Sequence, residues 1–232
     1  MKKAANSIGT KKESSLHREL KTLYSGPQGM TEVAAAGYIA DGLNGEGEFI
    51  EVQTGSFAPL KRKLKALLLE APVRLVYPVA AAKYIEVFEL FNGTVFLLHR
   101  RKSPRRGSPW DLFNALVYGW ELASLQGLSI ELVLADIVER RVADGKGSWR
   151  RRGQSILDKS LEAVRESIVL ERPADYLRFV PFARREAFTA SMLAKKAGIK
   201  AALARKALYV LTRLGLVKRA GKKGRAWLYE RV

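Results

Sequence analysis

The chain of 232 residues, 47% of them hydrophobic, is long enough to bury a sizeable apolar core. It has no cysteine, which excludes disulfides, thiolate metal sites and thiol catalysis, and its two histidines, His17 and His99, argue against a histidine-rich zinc site or a serine–histidine triad. No segment has the ~20 apolar residues that span a bilayer, and no apolar run of signal-peptide length follows the basic N-terminus. We therefore expect a cytoplasmic protein without a membrane partner.

The positive charge of the chain is concentrated near its C-terminus. The net charge is +18 at pH 7, and residues 172–232 hold 16 of the 41 Lys and Arg residues but only 3 of the 23 Asp and Glu residues, a net charge of +13. A surplus of this size predicts a polyanionic partner, with nucleic acid favoured over an anionic membrane surface. The alternative, a charge that only keeps the protein soluble, would be spread more evenly along the chain.

The N-terminal part of the chain predicts a helix, three strands, a second helix and a fourth strand. Residues 1–13 lack periodicity and are expected to form a disordered basic arm. Ser14 or Ser15 can cap a first helix that runs to about Tyr24, and residues 58–70 predict the second helix. The segments with a strand pattern are 31–36, 38–43, 48–54 and 73–80, and Asn44-Gly45 is a hairpin signal between the second and the third.

The middle of the chain mixes strand and helix patterns. The segments KYIEVFELF, TVFLLHR and LSIELVLADIVERRV predict strands, and SPWDLFNALVYGWELASL predicts a helix opened by Ser-Pro. Residues 157–168 fit either a helix or a strand. The role of residues 86–171 stays open between an extension of a catalytic domain and a dimerisation surface.

The basic C-terminal region predicts three helices followed by a hairpin. ADYLRFV, TASMLAKKAGI and KAALARKALYVLTRLGLV give the helices, and KRAGKKGRAWLYERV gives two short strands. This order resembles a winged helix-turn-helix domain, in which the third helix enters the major groove and the wing contacts the backbone. The resemblance implies DNA contacts by Lys200, Arg205, Lys206, Tyr209, Arg213, Arg219, Lys222, Lys223 and Arg225. Winged helices that bind other proteins are the alternative.

Two polar side chains interrupt the third strand in the stretch GEGEFIEVQTGSF. Glu51 and Gln53 lie on the same face of this strand as Phe49. If the hairpin turn is centred on Gly45, Asp41 lies opposite Phe49 and shares that face, with diagonal neighbours ~7–8 Å apart at Cα. Carboxylates at this separation can converge on Mg²⁺, which keeps several waters. The alternative is that they are ordinary charges of a half-solvated hairpin.

Asp41, the triplet Glu51-Val52-Gln53 and the αβββαβ order over about 14–80 together resemble the restriction-endonuclease-like, or PD-(D/E)XK, nucleases. Glu19 stands where resolvase-like members place a further metal-binding acid. The resemblance implies that Asp41, Glu51 and Glu19 bind Mg²⁺ or Mn²⁺, and that Asp41, Glu51 and Gln53 form the catalytic site.

Two positions depart from that family: no proline precedes Asp41, which is a minor difference, and Gln53 stands where a lysine is usual. An amide is not a base at neutral pH, so activation of the attacking water would fall to the metal and a substrate phosphate. A lysine of the following helix, Lys61 or Lys65, is another candidate for the role.

The sequence therefore predicts an α/β protein in which residues 14–171 form a PD-(D/E)XK nuclease-like domain with an extension and residues 172–232 form a winged helix-turn-helix domain. The expected function is that of a Mg²⁺-dependent endodeoxyribonuclease targeted to DNA by the winged helix. Gln53 keeps open the alternative of a non-catalytic DNA-binding regulator. An RNA substrate is disfavoured, since the deep groove of A-form RNA resists an inserted helix. Cleavage of both strands would favour a homodimer.

Overall fold

A computed structural model describes residues 13–91 and 94–232, so the predicted basic arm lies outside the described residues except for Glu13. The α-helices are α1 (Ser15–Ser25), α2 (Lys61–Leu67), α3 (Leu112–Leu116), α4 (Ala190–Ala197) and α5 (Ala201–Arg213). The strands are β1 (Met30–Ala35), β2 (Tyr38–Leu43), β3 (Phe49–Val52), β4 (Val73–Phe91), β5 (Thr94–Lys102), β6 (Leu128–Val142), β7 (Ser155–Leu170), β8 (Phe188–Thr189), β9 (Val217–Lys223) and β10 (Ala226–Arg231).

The protein is built around a mixed, seven-stranded sheet in the order β1-β2-β3-β4-β6-β7, with β5 attached to β4. The pairs β3–β4 and β4–β6 are parallel, and the others are antiparallel. A second sheet has the order β8-β10-β9. The predicted α/β class is confirmed, as is the predicted order of a helix, three strands, a helix and a strand. No helix in the described ranges is long and apolar enough to cross a bilayer.

Alternate residues of the central strands supply two apolar cores on opposite faces of the sheet. Ile50 and Val76 pack with Leu20 of α1 on one face. Phe49 and Leu75 belong to the larger core on the other face, which includes residues of α2, α3, α4 and α5. The C-terminal helices therefore share one continuous apolar core with the sheet.

Helix α1 follows its local signals closely. The side chain of Ser14 caps it by accepting from the His17 amide, and Gly26 ends it with φ of 69°. The predicted second helix begins as a 3-10 turn over Ala58–Leu60, with Pro59 in its first turn, and ends as α2. The helix signals at 14–25 and 58–70 are thus confirmed, apart from a shorter C-terminal end of the second.

Strand β4 is the longest element and joins two predicted strands into one of 19 residues. On one edge it pairs with β6 from Val73 to Phe88, with an irregularity between Ala80 and Ala82. The other edge is shared, because β3 pairs with its beginning and β5 with its end, starting at Tyr84. The Val76 carbonyl accepts from Gln53 on the β3 side, so Pro78, two residues later, has its missing N–H on this same edge. The gap between β3 and β5 therefore lies at Pro78.

The helix predicted from Ser108 onward is interrupted. It consists of a 3-10 turn at Pro109–Asp111, α3, and a second 3-10 turn at Trp120–Ser124. The carbonyl of Ala115, which would accept from Gly119 in a continuing helix, accepts from the Phe57 amide instead (3.1 Å). A Cβ at Gly119 would lie 3.2 Å from the Cβ of Phe57, so only glycine allows this approach without displacement. Tertiary packing thus ends the helix early.

The structure also assigns the remaining predicted segments. The ambiguous residues 157–168 belong to β7, which pairs with β6 along its length. The first of the three predicted C-terminal helices is a 3-10 helix over Pro173–Phe179, and the other two are α4 and α5. Thr189 caps α4, and Gly198 ends it in the left-handed conformation.

The contact between the C-terminal region and the rest of the chain depends on aromatic packing that can be tested. Phe179 lies 5.2 Å from Trp110 and 5.0 Å from Phe113, measured between ring centroids, and is 3% exposed. We expect Phe179→Ala to lower the free energy of unfolding by about 3–5 kcal/mol, since it leaves a cavity among aromatic rings. Leu69→Ala, at a side chain 88% exposed, should change it by less than about 0.5 kcal/mol. Urea denaturation of both variants measures this, and equal effects would contradict it.

Candidate active site

Asp41 and Glu51 lie opposite each other on β2 and β3. The observed register pairs Gly42 with Ile50 and Leu43 with Phe49, which places Asp41 across from Glu51. The prediction that Asp41 lies opposite Phe49 is therefore wrong, because the residue opposite Asp41 lies two positions further along β3. The side chain of Asn44 accounts for the shift, because its Oδ1 accepts from the amides of residues 46 and 48 and centres the loop on residue 46. The two carboxylates are consequently closer than the diagonal arrangement predicted.

Each of the two carboxylates accepts a hydrogen bond from the backbone of the other strand. The Asp41 amide donates to Glu51 Oε1 (3.2 Å), and the Val52 amide donates to Asp41 Oδ2 (2.8 Å). These contacts hold both side chains in fixed positions at the C-terminal end of β3. Glu51 is almost fully buried, and Asp41 keeps 19% of its side chain exposed. One carboxylate therefore lies inside the fold and the other at its surface.

A basic side chain from a different helix contacts each carboxylate. Lys63 Nζ of α2 lies 2.6 Å from Glu51 Oε1, and His17 Nε2 of α1 lies 3.1 Å from Asp41 Oδ2. Glu13 Oε1 is 3.5 Å from the same His17 nitrogen and 3.0 Å from Lys21 Nζ. The site thus combines alternating negative and positive side chains.

These surroundings shift the pKa values of the two carboxyl groups in opposite directions. Burial raises the pKa of Glu51, the negative charge of Asp41 adds to this, and the contact with Lys63 offsets part of it. Burial would also raise the pKa of Asp41, but the hydrogen bonds from His17 and the Val52 amide outweigh it and hold that pKa below its ordinary value. Asp41 is therefore the more firmly ionised member of the pair.

The hydrogen bonds of the other predicted site residues go to partners outside this pair. Glu19 Oε2 accepts from the Leu161 amide of β7 (2.6 Å). Gln53 Nε2 donates to the Ser56 carbonyl (2.9 Å), so this amide holds the turn after β3. Of the two lysines considered for the role of the missing catalytic lysine, Lys61 is paired with Glu121 instead, at 2.9 Å. The lysine that contacts the site is Lys63.

His17 and Lys63 were missed by sequence reasoning, although a signal for Lys63 exists. Lys63 is next to Leu64 and four residues before Leu67, so it borders the buried stripe of α2 that these two leucines form. A lysine at the edge of a buried stripe favours an anionic partner, and Glu51 is that partner. No comparable local signal marks His17, whose partner Asp41 is on another element.

The pair supplies two neighbouring carboxylates, the kind of ligand that a divalent cation takes. In residues 13–91 and 94–232 no group of three or more His, Cys, Asp or Glu side chains is gathered for a metal. The contacts described above use Oδ2 of Asp41 and Oε1 of Glu51, which leaves the second oxygen of each carboxylate to coordinate an ion. Mg²⁺ is suited to such a site, because it accepts one or two carboxylates and keeps several waters.

The predicted DNA-contacting residues are all exposed, but some already have partners within the chain. Lys206 Nζ donates to Oδ1 of Asn114 in α3 (2.8 Å), and the Arg213 guanidinium lies 5.6 Å from the ring centroid of Trp120. Helix α5 is therefore docked on the sheet domain through part of its polar face.

Trp227 of β10 was missed by sequence reasoning. Arg219 and Lys222 lie 4.4 Å and 4.5 Å from its ring centroid. Both are residues of β9 that were predicted to contact DNA, so one aromatic ring positions two cations of the hairpin.

Comparisons with known proteins identify relatives without assigning a function. The family described as "domain of unknown function (DUF8091)" matches residues 14–171. An uncharacterized protein of Treponema pallidum (strain Nichols) is 31% identical over 225 residues, which cover 97% of this chain and 87% of that protein. No solved structure matches the chain.

The contact between His17 and Asp41 makes a measurable prediction. The hydrogen bond to Asp41 raises the pKa of His17, with burial opposing it. In the metal-free protein, Asp41→Asn should therefore lower this pKa, and Asp144→Asn, on a remote loop, should not. Proton NMR of the imidazole resonances, assigned with His17→Gln, measures both. An unchanged pKa in Asp41→Asn would contradict the observed contact.

The same contact should contribute to stability in a defined pH range. Because the folded-state pKa of His17 is raised, its contribution is fully present below about pH 6.5 and is lost as the pH rises through the raised value. Asp41→Asn should thus cost more unfolding free energy below pH 6.5 than in alkaline solution.

Proposed function

The chain belongs to the DUF8091 family, and because this family's description assigns no activity, we propose from the residues of the site that the protein is a metal-dependent DNA endonuclease. The observation that carries the proposal is the fixed pair Asp41–Glu51 with Lys63 beside it. Two neighbouring carboxylates that can hold Mg²⁺, with a lysine in contact with one of them, suit Mg²⁺-dependent hydrolysis of a phosphodiester bond. The restriction-endonuclease-like assignment is supported by the αβββαβ order and the parallel pairing of β3 with β4.

In the proposed reaction the two carboxylates bind the metal ion and Lys63 has a separate role. Asp41 and Glu51 would hold a divalent cation through the oxygens that do not accept backbone amides. The bound cation would polarise the scissile phosphate and lower the pKa of an attacking water. The contact with Lys63 lowers the pKa of Glu51 against the larger effect of burial, and the same ammonium group could stabilise negative charge that develops on the phosphate oxygens. Lys63 would thereby serve as the lysine of the site, since Gln53 donates to the Ser56 carbonyl.

DNA binding is proposed for the C-terminal region. Helices α4 and α5 with the hairpin β9–β10 have the order of a winged helix-turn-helix domain, and the net charge of +13 over residues 172–232 suits a phosphate backbone. Arg205 and Tyr209 are exposed on α5, and Lys223 and Arg225 are exposed at the tip of the hairpin. A homodimer would supply a second catalytic site for the opposite strand.

One observation favours a second candidate, a DNA-binding protein without catalysis. Both carboxylates already have cationic partners, Lys63 and His17, and such an arrangement can serve stability alone. Under this alternative the pair would be a structural ion network and the C-terminal region would carry the whole function.

Cleavage assays separate the two candidates. With Mg²⁺ or Mn²⁺ we expect cleavage of duplex and branched DNA, lost in EDTA and in Asp41→Asn and Glu51→Gln. Lys63→Ala should lower the rate by about 10²–10³, the usual effect of removing one group that stabilises developing charge. Lys65→Ala, an exposed lysine of the same helix, is the matched control and should retain the rate. Tight DNA binding without cleavage on any substrate would sink the nuclease proposal and leave the regulator.

The hairpin contribution to DNA binding can be measured separately. Trp227→Ala should weaken duplex binding by about 1 kcal/mol, or roughly fivefold, because Arg219 and Lys222 lose the ring that positions them. Trp227→Phe should restore most of the affinity, and Tyr118→Ala, an exposed aromatic elsewhere, should have no effect. Fluorescence anisotropy at fixed salt gives the affinities. Equal affinity of all three variants would exclude a role for the hairpin.

A further inference from the structure

The loop between β6 and β7, residues 143–154, carries the most exposed tryptophan of the chain. Trp149 is 82% exposed, whereas Trp227 is 40% exposed and both Trp110 and Trp120 pack against the larger core. Tryptophan is a large apolar side chain that folded proteins bury for the most part. Packing within the fold therefore does not explain the position of Trp149.

This loop has a defined conformation. The Ser148 carbonyl accepts from the amides of Arg151 (2.9 Å) and Gly153 (3.2 Å). The Gly147 amide donates to the Gly153 carbonyl (2.7 Å). A Cβ at Gly147 would lie 1.8 Å from the carbonyl oxygen of Gln154, so this position requires glycine. The tip of the loop is thus a compact, hydrogen-bonded turn.

Backbone strain accompanies the turn. A single 3-10 turn covers Trp149–Arg151, and Arg152 ends it in the left-handed conformation with φ of 53°. Residues other than glycine adopt this conformation at an energetic cost, and such strain is concentrated at functional sites. Arg152 is exposed, so the strained residue places a charged side chain at the surface and not in a packed contact.

The loop carries a positive net charge. Its basic residues are Lys146, Arg150, Arg151 and Arg152 and its acidic residue is Asp144, which gives a net charge of +3. None of the four basic residues forms an ion pair within residues 13–91 and 94–232. Asp144 keeps its charge, since it accepts from the neutral amide of Lys146. The surplus of the loop is therefore available to an anionic partner.

One cation lies against the exposed ring. The Arg150 guanidinium is 5.5 Å from the ring centroid of Trp149. Because Arg150 can cover only one face of the indole, an exposure of 82% leaves the other face open. Arg151 is held differently, since its Nε donates to the Gln154 carbonyl (3.1 Å). The tip of the loop therefore combines an open aromatic face with neighbouring cations.

An open aromatic face among cations suits an unpaired nucleic-acid base. In single-strand sites bases stack on aromatic side chains while cations contact the phosphates. In a duplex the faces of the bases are covered by their neighbours, so the cations alone would contribute. An anionic membrane is the other surface that tryptophan and arginine contact, but interfacial binding scales with buried apolar area. Trp149 is the one large apolar residue in 143–154, which favours nucleic acid.

We propose that the loop 143–154 binds single-stranded DNA, with an unpaired base stacked on Trp149 and the adjacent phosphates held by Lys146, Arg150 and Arg152. The choice of DNA as the nucleic acid rests on the proposed function. The stacking contact rests on the loop alone. This surface is additional to the C-terminal region proposed to bind the duplex.

The loop lies far from the candidate active site. Glu51 pairs with Leu75 near the start of β4, whereas Val142, the last residue before the loop, pairs with Phe88 near its end. At ~3.3 Å per residue, the levels of Leu75 and Phe88 are separated by roughly 40 Å along the strand. A substitution in the loop is therefore not expected to disturb the carboxylate pair, so binding by the loop and cleavage can be tested separately.

Binding without catalysis tests the stacking contact. We would measure the anisotropy of a labelled single-stranded oligodeoxynucleotide and of a blunt duplex, both in EDTA. Trp149→Leu keeps an apolar side chain but removes the ring, so it should bind the single strand about tenfold more weakly, a typical loss for one stacked base. Its affinity for the duplex should change by less than about twofold, since duplex bases offer no free face. Trp149→Phe should restore most of the single-strand affinity.

Two further variants define the contact. Tyr118→Ala is the matched control, because it removes an aromatic side chain that is 73% exposed and outside the loop, and it should leave both affinities unchanged. Arg150→Ala/Arg152→Ala should weaken single-strand binding and reduce the slope of log affinity against log salt by about 1.4, for two lost phosphate contacts. Thermal unfolding shows whether each variant retains the fold.

Equal single-strand affinity of Trp149→Leu and the natural protein would overturn the proposal, as would equal losses for the single strand and the duplex. Sedimentation with vesicles of phosphatidylcholine and phosphatidylserine tests the membrane alternative. Vesicle binding that Trp149→Ala abolishes, with DNA binding unchanged, would assign the loop to a membrane surface instead.

Photocrosslinking of the natural protein gives a readout that needs no variant. A single strand that carries iodouracil should crosslink to Trp149, mapped by mass spectrometry, and crosslinks found only elsewhere in the chain would contradict the contact. Absence of cleavage with a retained Trp149 contact would reject the nuclease and not the loop.

Discussion

The two edges of β4 carry unequal pairing, and most of the architecture depends on this inequality. One edge is paired with β6 almost throughout, and this parallel pairing keeps the strand continuous over 19 residues. The other edge is divided between β3 and β5, with Pro78 in the gap. Strand β3, which carries Glu51, ends at this gap next to the turn held by Gln53. The residues of β4 that lack a partner there, Tyr77 to Ala80, line a groove of about 980 Å³.

The carboxylate pair is stabilised by local electrostatics rather than by a pre-assembled metal cluster. Backbone amides fix the orientation of Asp41 and Glu51, and the cations Lys63 and His17 offset the cost of placing two negative charges close together. If the pair holds Mg²⁺ as proposed, through the second oxygen of Asp41, the ion and a protonated His17 would repel each other, so affinity for the ion and protonation of the imidazole would be thermodynamically linked.

Local signals in the sequence were sufficient for some elements and insufficient for others. The cap at Ser14, the turn at Asn44-Gly45 and the stop at Gly198 act within a few residues, and the elements they bound were predicted well. The continuity of β4 and the break after α3 depend on partners far along the chain, namely β6 and Phe57. No local pattern contains that information.

The candidate active site was also predicted only in part, because some of its contacts depend on residues far apart in the chain. Asp41 and Glu51 were found from their spacing on neighbouring strands, but the register between them depended on how the Asn44 side chain organises the loop. Glu19 was assigned to the site from its position on α1, whereas β7 supplies its partner, Leu161. Side chains that act across elements were missed for this reason.

The docking of α5 has a geometric consequence. Lys206 and Arg213 attach this helix to Asn114 and Trp120, and Phe179 joins the same core as the sheet. The helix is thus packed on the same core as β3, the strand that carries Glu51. If both proposals are correct, DNA binding by α5 and cleavage at the carboxylate pair, this packing would set a preferred number of nucleotides between the bound site and the attacked phosphate.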